Sequence, residues 1–296
     1  MKMREPHKLR RSKLFVPGNR SELFAKALAG PADAISVDLE DAVPESGKSR
    51  ARQAVAEFMR DFPIGGKEWI VRVNSLGSGL MIEDILALAC VRLNVVNVPK
   101  VESPRDLHVA DEVLRHAERR LGLEPGRIGL MPTLESPAGL RRAHEIATAS
   151  ARVVALQLGT GDLKAASGLT PETARLNAVR TMLVLAAAEA GVDALDSAFV
   201  NIADLAAFER DAMESRALGF AGKSCIHPSQ IEACNRIFAP TEAELDDARQ
   251  LLRAYEEAKK RGLGAIAHRG SLVDQVHALE ARRLLQAAGE IDEATA

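Results

Sequence analysis

The chain has 296 residues, of which 47% are hydrophobic, and its formal net charge is −2. The near-neutral charge and the scarcity of aromatic residues, with one Trp, one Tyr and eight Phe, argue against a nucleic-acid-binding protein. No run approaches the roughly 18–20 apolar residues of a membrane-spanning helix. The basic N-terminus is not followed by an apolar run with a small-residue cleavage site, so we expect no secretory signal.

The three cysteines, Cys90, Cys225 and Cys234, lack the spacing of metal ligands and are odd in number. Reduced thiols are typical of proteins in a reducing compartment. We therefore expect a cytoplasmic protein whose cysteines form no disulfide.

Short apolar runs rich in Val and Ile alternate with longer helical patterns along most of the chain. The helical patterns include SELFAKALAG, MIEDILALACVRL, PRDLHVADEVLRHAERRLGL and ETARLNAVRTMLVLAAAEAG. Gly30, Gly122 and Gly191 stand where C-terminal helix caps belong. The predicted strands are residues 13–16, 34–39, 69–73, 95–98, 128–134, 153–158, 194–200 and 223–226.

This alternation predicts an α/β protein with a parallel sheet, and eight units in about 240 residues favour a closed (β/α)8 TIM barrel. An open doubly wound sheet is the alternative. It would usually have fewer strands and a glycine-rich first turn, whereas the first turn here is VPGNRS. Gly159 and Gly161 form a G-x-G, but it comes late and lacks a third glycine at the right spacing.

We place the barrel in residues 1–240 and a helical extension in residues 241–296. TEAELDDARQLLRAYEEAKKRG predicts a charged helix, with Thr241 and Glu244 as a capping box. GLGAIAHRG predicts a flexible connector, and a last helix with an apolar stripe is expected from Ser271 to Ala288. The extension is too small for a core of its own, so we expect it to pack on the barrel or on a neighbouring subunit.

Functional groups of a (β/α)8 barrel follow the C-terminal ends of its strands. Acids and bases stand at most of the predicted ends, so we expect the active site there. The ends carry Pro17-Gly18-Asn19, Glu40-Asp41, Arg72 with Asn74, Pro99-Lys100, Glu135, Asp162, Asn201 and His227-Pro228.

Glu135 and Asp162 follow neighbouring strands, so one Mg²⁺ or Mn²⁺ could bind both carboxylates, with water and substrate oxygens completing its shell. The alternative is that each carboxylate caps its following helix. Arg72 emerges from an apolar strand, where its guanidinium can grip a substrate carboxylate. A structural ion pair with Glu40 or Asp41 is compatible with that role.

The remaining basic residues have less specific interpretations. Lys100 is expected to be solvated or to bind phosphate, with a Schiff base as the alternative. His227 is expected to be packed at its strand end. Lys48, Arg50 and Arg52 predict an exposed basic helix face, with a phosphate contact as the minority interpretation.

The motifs together resemble the citrate lyase beta-subunit family, which includes malyl-CoA, β-methylmalyl-CoA and citramalyl-CoA lyases. The resemblance covers nearly the whole chain, from about residue 10 to residue 287. It is carried by RRSKLFVPGN, DAISVDLEDAVPESGKSRAR, VRVN, VPKVES, LESPAGL, GTGD, LGFAGKSCIHPSQI and GSLVD.

The resemblance implies a (β/α)8 barrel in a homotrimer or hexamer. It implies that Glu135 and Asp162 bind Mg²⁺ and that Arg72 binds the keto acid. It also implies that Glu40 and Asp41 form a second shell around these residues. In the family's acyl-CoA lyases, a C-terminal aspartate of a G-x-M-[IV]-D segment reaches into a neighbouring subunit's site. Asp274 matches that aspartate, although Leu272 replaces the usual Met.

The implied activity is a Mg²⁺-dependent cleavage or formation of a 3-hydroxyacyl-CoA thioester, such as malyl-, citramalyl- or β-methylmalyl-CoA, to a keto acid and an acyl-CoA. Asp274 is the expected acid/base at the thioester's α-carbon. Three alternatives stay open: the citryl-carrier-protein lyase subunit of a citrate lyase complex, a CoA thioester hydrolase, and a non-catalytic CoA-thioester-binding protein.

Overall fold

A computed structural model of the protein describes residues 9–62, 66–169 and 173–291. Its first unit contains eight parallel strands that close into a barrel in sequential order, with the first strand paired to the eighth. This confirms the predicted α/β class and the (β/α)8 TIM barrel. The strands are β1 Ser12–Pro17, β2 Ala34–Asp38, β3 Glu68–Arg72, β4 Val95–Val98, β5 Gly129–Leu134, β6 Ala155–Leu158, β7 Asp193–Asp196 and β8 Gly222–Cys225.

Helices follow the strands, and two segments contain two helices in place of one. Ser103 and Asp106 form a capping box at the start of one helix, and Gly122 ends it at a left-handed φ of 64°. Gly191 is also left-handed, whereas Gly30 caps its helix in an extended conformation. The helices are α1 Phe24–Ala29, α2 Lys48–Asp61, α3 Met81–Leu88, α4 Pro104–Leu121, α5 Pro137–Arg141, α6 Ala143–Ala147, α7 Thr160–Ser167, α8 Thr173–Ala190, α9 Leu205–Ala217 and α10 Ile231–Phe238.

Alternation along the strands divides the core into two layers. Ile35 and Val37 belong to the large cluster that includes buried helix residues, whereas Ala34 belongs to a small separate cluster. Residues of this second face become polar toward the C-terminal ends of the strands: Ser36 and Asp38 continue the face of Ala34 and are buried. The inward-facing residues of the barrel are thus apolar in the layer of Ala34 and become polar toward the C-terminal ends of the strands.

Buried ion pairs connect elements around the barrel. Arg10 Nε donates to Glu68 Oε2 at 2.7 Å, just before β1. Arg52 on α2 is buried and donates to Asp84 Oδ1 at 2.6 Å. The predicted exposed basic face of α2 was therefore wrong for Arg52, because a guanidinium has enough donors to pair inside the protein.

The chain divides into two compact units between Phe238 and Ala239. The second unit contains α11 Glu242–Lys260, β9 Ile266–His268, β10 Ser271–Val273 and α12 Gln275–Ala287. Its helices pack through Ala248, Ala281 and Leu285, and the capping box of Thr241 and Glu244 is present. The packing of this extension on the barrel or on a neighbouring subunit stays a prediction.

The connector of this unit differs from the expectation. Residues predicted as a flexible connector and a helix start form an antiparallel hairpin, in which His268 pairs with Ser271. Arg269 and Gly270 both have positive φ, of 47° and 83°, which is the geometry of a two-residue hairpin turn. The last helix therefore begins after Asp274, not at Ser271.

No helix in the described ranges combines the length and the apolar character needed to cross a bilayer. Cys90, Cys225 and Cys234 are free thiols, as expected. The compartment in which the protein works stays a prediction.

Candidate active site

A cavity of about 1080 Å³ opens at the C-terminal ends of the strands. Several of the strand-end residues singled out in the sequence line it, including Asp41, Arg72, Glu135, Asp162 and Asn201. Asn74 does not, because its amide donates to Asp84 Oδ2 at 2.7 Å. His227 is exposed and caps the turn Pro228–Gln230, so the expectation of a packed histidine was wrong.

Arg72 is held in the cavity wall by Asp38, its direct partner in the register of β2 and β3. Nε and Nη2 of Arg72 each donate to one Asp38 oxygen at 2.7 Å. Burial lowers the pKa of Arg72, but the hydrogen bonds and charge of Asp38 outweigh it and raise the pKa above its ordinary value. Asp38 was absent from the predicted partners of Arg72, although it is the bidentate one.

Glu40 and Asp41 lie on the other side of the Arg72 guanidinium. Nη1 of Arg72 is 3.0 Å from Glu40 Oε2 and 3.4 Å from Asp41 Oδ2. Burial raises the pKa of Glu40, although the positive charge of Arg72 acts in the opposite direction. The predicted ion pairs are present, and they orient Arg72 from two directions.

Lys100 joins these acids to the next strands. Its Nζ lies 2.8 Å from Glu40 Oε1 and 3.8 Å from Asp162 Oδ2, and its main-chain N–H donates to Glu135 Oε1 at 2.6 Å. Burial lowers the pKa of Lys100, but the hydrogen bond to Glu40 outweighs it, so the pKa lies above its ordinary value. A charged amine is a poor nucleophile, which disfavours the Schiff-base interpretation.

Lys100 also has strained backbone geometry, with a φ of 53° in the left-handed region that few side chains adopt. Such strain costs on the order of 1–3 kcal/mol and persists where neighbouring contacts enforce it. Here the conformation points the main-chain N–H at Glu135 while the ammonium reaches Glu40. The strained residue thus connects the two acidic groups of the site.

Glu135 is buried immediately after β5, and Asp162 stands in the first turn of α7 with 46% of its side chain exposed. Burial, together with the negative charges of Glu40 and Asp162, raises the pKa of Glu135 to about 7. Gly159 makes room for this carboxylate, because a Cβ there would lie 2.5 Å from Glu135 Oε2.

The chemistry of these donors fits a hard divalent cation. A buried carboxylate crowded by other negative charges is stabilised by a cation, and Mg²⁺ prefers such oxygen ligands. Among the described residues no group of three or more His, Cys, Asp and Glu forms a complete protein cage. Two carboxylates, Glu135 and Asp162, would leave the remaining positions to water and substrate oxygens.

Polar side chains that were not predicted from the sequence lie in the barrel interior beneath the cavity, and one of them, Gln157, lines it. Lys13 Nζ donates to Asn97 Oδ1 at 3.1 Å and to Gln157 Oε1, in the barrel interior. Burial lowers the pKa of Lys13 well below its ordinary value, and the positive charge of Arg72 lowers it further. Strand alternation was the available signal, since Lys13 and Gln157 interrupt apolar runs.

Lys48 and Asp274 have different surroundings. Lys48 Nζ donates to the carbonyls of Leu39 and Glu40 at 3.0 Å each, so it binds the acidic loop. Asp274, in the second unit, is the N-cap of α12 and accepts from the Val276 main-chain N–H at 2.9 Å. A hydrogen bond from His277 lowers the pKa of Asp274. The capping role is thus present, and a catalytic role stays a prediction.

A closed barrel with a cavity lined by carboxylates and an arginine at the C-terminal ends of its strands has the arrangement typical of (β/α)8 enzymes. The family model for HpcH/HpaI aldolase/citrate lyase matches residues 11–228. The chain therefore belongs to the HpcH/HpaI aldolase/citrate lyase family, which confirms the resemblance found in its motifs.

Individual relatives match over nearly the whole chain. The citrate lyase subunit beta of Leuconostoc mesenteroides subsp. cremoris is 36% identical over 285 residues, which cover 95% of this chain and 94% of the relative. The L-malyl-CoA/beta-methylmalyl-CoA lyase of Rhodobacter capsulatus is 32% identical, with 91% of each chain covered.

A solved structure of the protein CitE from Mycobacterium tuberculosis is similar in fold and sequence. It is a complex with magnesium, acetoacetate and coenzyme A. The two chains share 33% identity at a TM-score of 0.75, over 94% of this chain and 98% of that one.

Proposed function

We propose that this protein is a Mg²⁺-dependent carbon–carbon lyase that cleaves or forms a 3-hydroxyacyl-CoA thioester, giving a keto acid and an acyl-CoA. The observation that carries the proposal is the pairing of two carboxylates, Glu135 and Asp162, with an arginine held rigidly on Asp38 in one cavity. The lyase relatives and the magnesium–coenzyme A complex of the similar structure support it.

In this reaction the 3-hydroxyl loses its proton and the bond between carbons 2 and 3 breaks. The electron pair passes to the α-carbon of the thioester, which then takes up a proton. Arg72 binds the acid portion and offsets the negative charge that develops. Glu40 and Asp41 hold Arg72, and Glu135 contacts the bound acid.

Glu135 and Asp162 would hold Mg²⁺, or Mn²⁺ in its place. The bound ion supplies a Lewis acid that polarises the oxygens of the substrate. Because Glu135 has a pKa of about 7 without metal, it must give up its proton before it can serve as a ligand. We therefore expect metal binding to weaken below neutral pH.

We further propose a homotrimer or hexamer in which Asp274 of one chain serves the site of a neighbour as the acid/base at the α-carbon. The described barrel supports this indirectly, since its cavity acids already have partners or are assigned to metal. Arg72 and Lys100 hold the acids after β2, Arg180 and Lys223 hold Asp211, and Asn177 donates to Glu214. The exposed Leu272, Val276 and Leu279 of the extension suit a contact surface.

A second candidate is the citryl lyase subunit of a citrate lyase complex, favoured by the 36% identity to a citrate lyase beta subunit. A turnover panel with malyl-, citramalyl-, β-methylmalyl- and citryl-CoA, and with a citryl group bound to a carrier protein, tests both. Release of keto acid with acyl-CoA from a free thioester supports the first function. Cleavage only of carrier-bound citryl groups supports the second, release of free CoA indicates a hydrolase, and binding without turnover indicates a non-catalytic protein.

A further inference from the structure

Hydrogen bonds at the cavity floor fix the direction of one side-chain amide. Asn97 Nδ2 donates to the main-chain carbonyl of Met131 at 2.6 Å and to Thr133 Oγ1 at 2.8 Å. A carbonyl can only accept, so this contact identifies the amide nitrogen of Asn97. Its oxygen Oδ1 consequently faces Lys13 Nζ, 3.1 Å away, and Lys13 is the donor.

Lys13 engages Gln157 from the other side, donating to its Oε1. An amine retains two N–H groups even when uncharged, so Lys13 can serve both acceptors at once. Gln157 is 4% exposed and lines the cavity. With Oε1 held by Lys13, the Nε2 donor of Gln157 points away from Lys13, and it has no acceptor within the described residues.

Thr133 adds a second donor beside Gln157. The two residues are register partners in β5 and β6, and both line the cavity. Thr133 Oγ1 accepts from Asn97, so its own hydroxyl proton is directed elsewhere. Thr133 precedes Glu135 by two positions on the same face, roughly 7 Å along the strand. Donors therefore lie directly below the carboxylate assigned to metal.

We propose that Gln157 is a specificity-determining residue, whose Nε2–H, positioned by Lys13, donates to an oxygen on the substituent of the bound 2-oxo acid. The inference rests on the proposed function and narrows its substrates to thioesters that release oxaloacetate, of which citryl-CoA is the one in the turnover panel. Oxaloacetate carries a carboxymethyl group there, pyruvate a methyl group and glyoxylate a hydrogen. A bound acid covers this donor and a methyl group leaves it unpaired, so the site selects an acid with an oxygen acceptor in that position.

The test measures binding of the free acids by isothermal titration calorimetry in the presence of Mg²⁺. The wild type should bind oxaloacetate about tenfold or more tightly than pyruvate or glyoxylate. Gln157→Met keeps the length of the side chain and removes the donor. This variant should bind oxaloacetate about tenfold more weakly than the wild type, and its affinity for pyruvate should change by less than about twofold. Leu156→Met, on the same strand but facing the other way, is the matched control and should change neither.

Lys13→Met tests the positioning role. Without Lys13 the amide can rotate, so this variant should lose the same preference, and the double variant should lose no more than either alone. Equal loss for all three acids, or no preference in the wild type, overturns the proposal. Retained preference in a folded Lys13→Met protein overturns the role of Lys13. Failure of the lyase function is separate, since it appears as absent turnover in the thioester panel.

Discussion

The buried carboxylate of Glu135 should affect the free energy of unfolding as well as metal binding. Its side chain is 5% exposed, and burial, followed by the charge of Glu40, raises its pKa from 4.5 to about 7. A raised carboxyl pKa means that the folded state holds the proton more tightly than the unfolded chain. The associated stability is fully present below pH 4.5 and is lost as the pH rises through about 7.

Glu135→Gln removes this ionisation while keeping the shape and an oxygen for the Lys100 main-chain N–H. The interval from 4.5 to about 7 corresponds to about 3 kcal/mol. The metal-free variant should therefore be about 2–3 kcal/mol more stable than the wild type at pH 8, and less than about 1 kcal/mol more stable at pH 5. Urea unfolding at both pH values, in EDTA, measures the difference.

Metal and a second variant sharpen this test. Mg²⁺ at about 100 times its dissociation constant should stabilise the wild type at pH 8 by about 2.7 kcal/mol and the variant much less. Asp162→Asn is the matched control, because its exposed carboxylate should give the same loss of metal-linked stability without a gain in the metal-free protein. Unchanged stability of Glu135→Gln at pH 8, or equal metal stabilisation of both proteins, would refute the reasoning.

Three further predictions concern Arg72, Asp38 and Asp274. Arg72→Lys keeps the charge but loses the fork on Asp38, so kcat/KM should fall about 100-fold or more with an unchanged circular dichroism spectrum; turnover near the wild-type value contradicts this. Asp38→Asn breaks a buried pair and should lower the free energy of unfolding in urea by about 3–5 kcal/mol, whereas a change under about 1 kcal/mol would contradict the role. Mixing inactive Asp274→Ala chains with inactive Glu135→Ala chains should restore part of the activity, and no recovery after proven subunit exchange argues against shared sites.

Periodicity sufficed to predict the barrel because most strands are short, largely apolar runs that are followed by a helix. The positions of Arg72, Glu135 and Asp162 could be predicted from the rule that barrel strands point their C-terminal ends at one face. Bonding partners were harder, since they depend on register between strands. Asp38 lies opposite Arg72 because of the register in which β2 and β3 pair, and nothing in the sequence reveals that register.

The floor of the cavity and the hairpin of the extension were missed for different reasons. Lys13 and Gln157 lie far apart in sequence, and only closure of the barrel brings β1 within reach of β6 across its interior. The hairpin had a local signal, because Arg269 and Gly270 separate two short runs with strand character. The glycines of this segment were interpreted as a sign of a flexible connector, whereas Gly270 forms part of a tight hairpin turn.

Charge balance explains why a metal-assisted lyase suits this cavity. In the cluster around Arg72 and Lys100, five carboxylates outnumber these two cationic groups, so the cluster is acidic, yet the proposed substrates are themselves anions. A divalent cation reverses the local field and admits a carboxylate, while a neutral donor such as Gln157 recognises an oxygen without altering the charge. The charged groups are Asp38, Glu40, Asp41, Glu135, Asp162, Arg72 and Lys100. Metal therefore governs whether the acid binds, and the uncharged floor governs which acid is preferred.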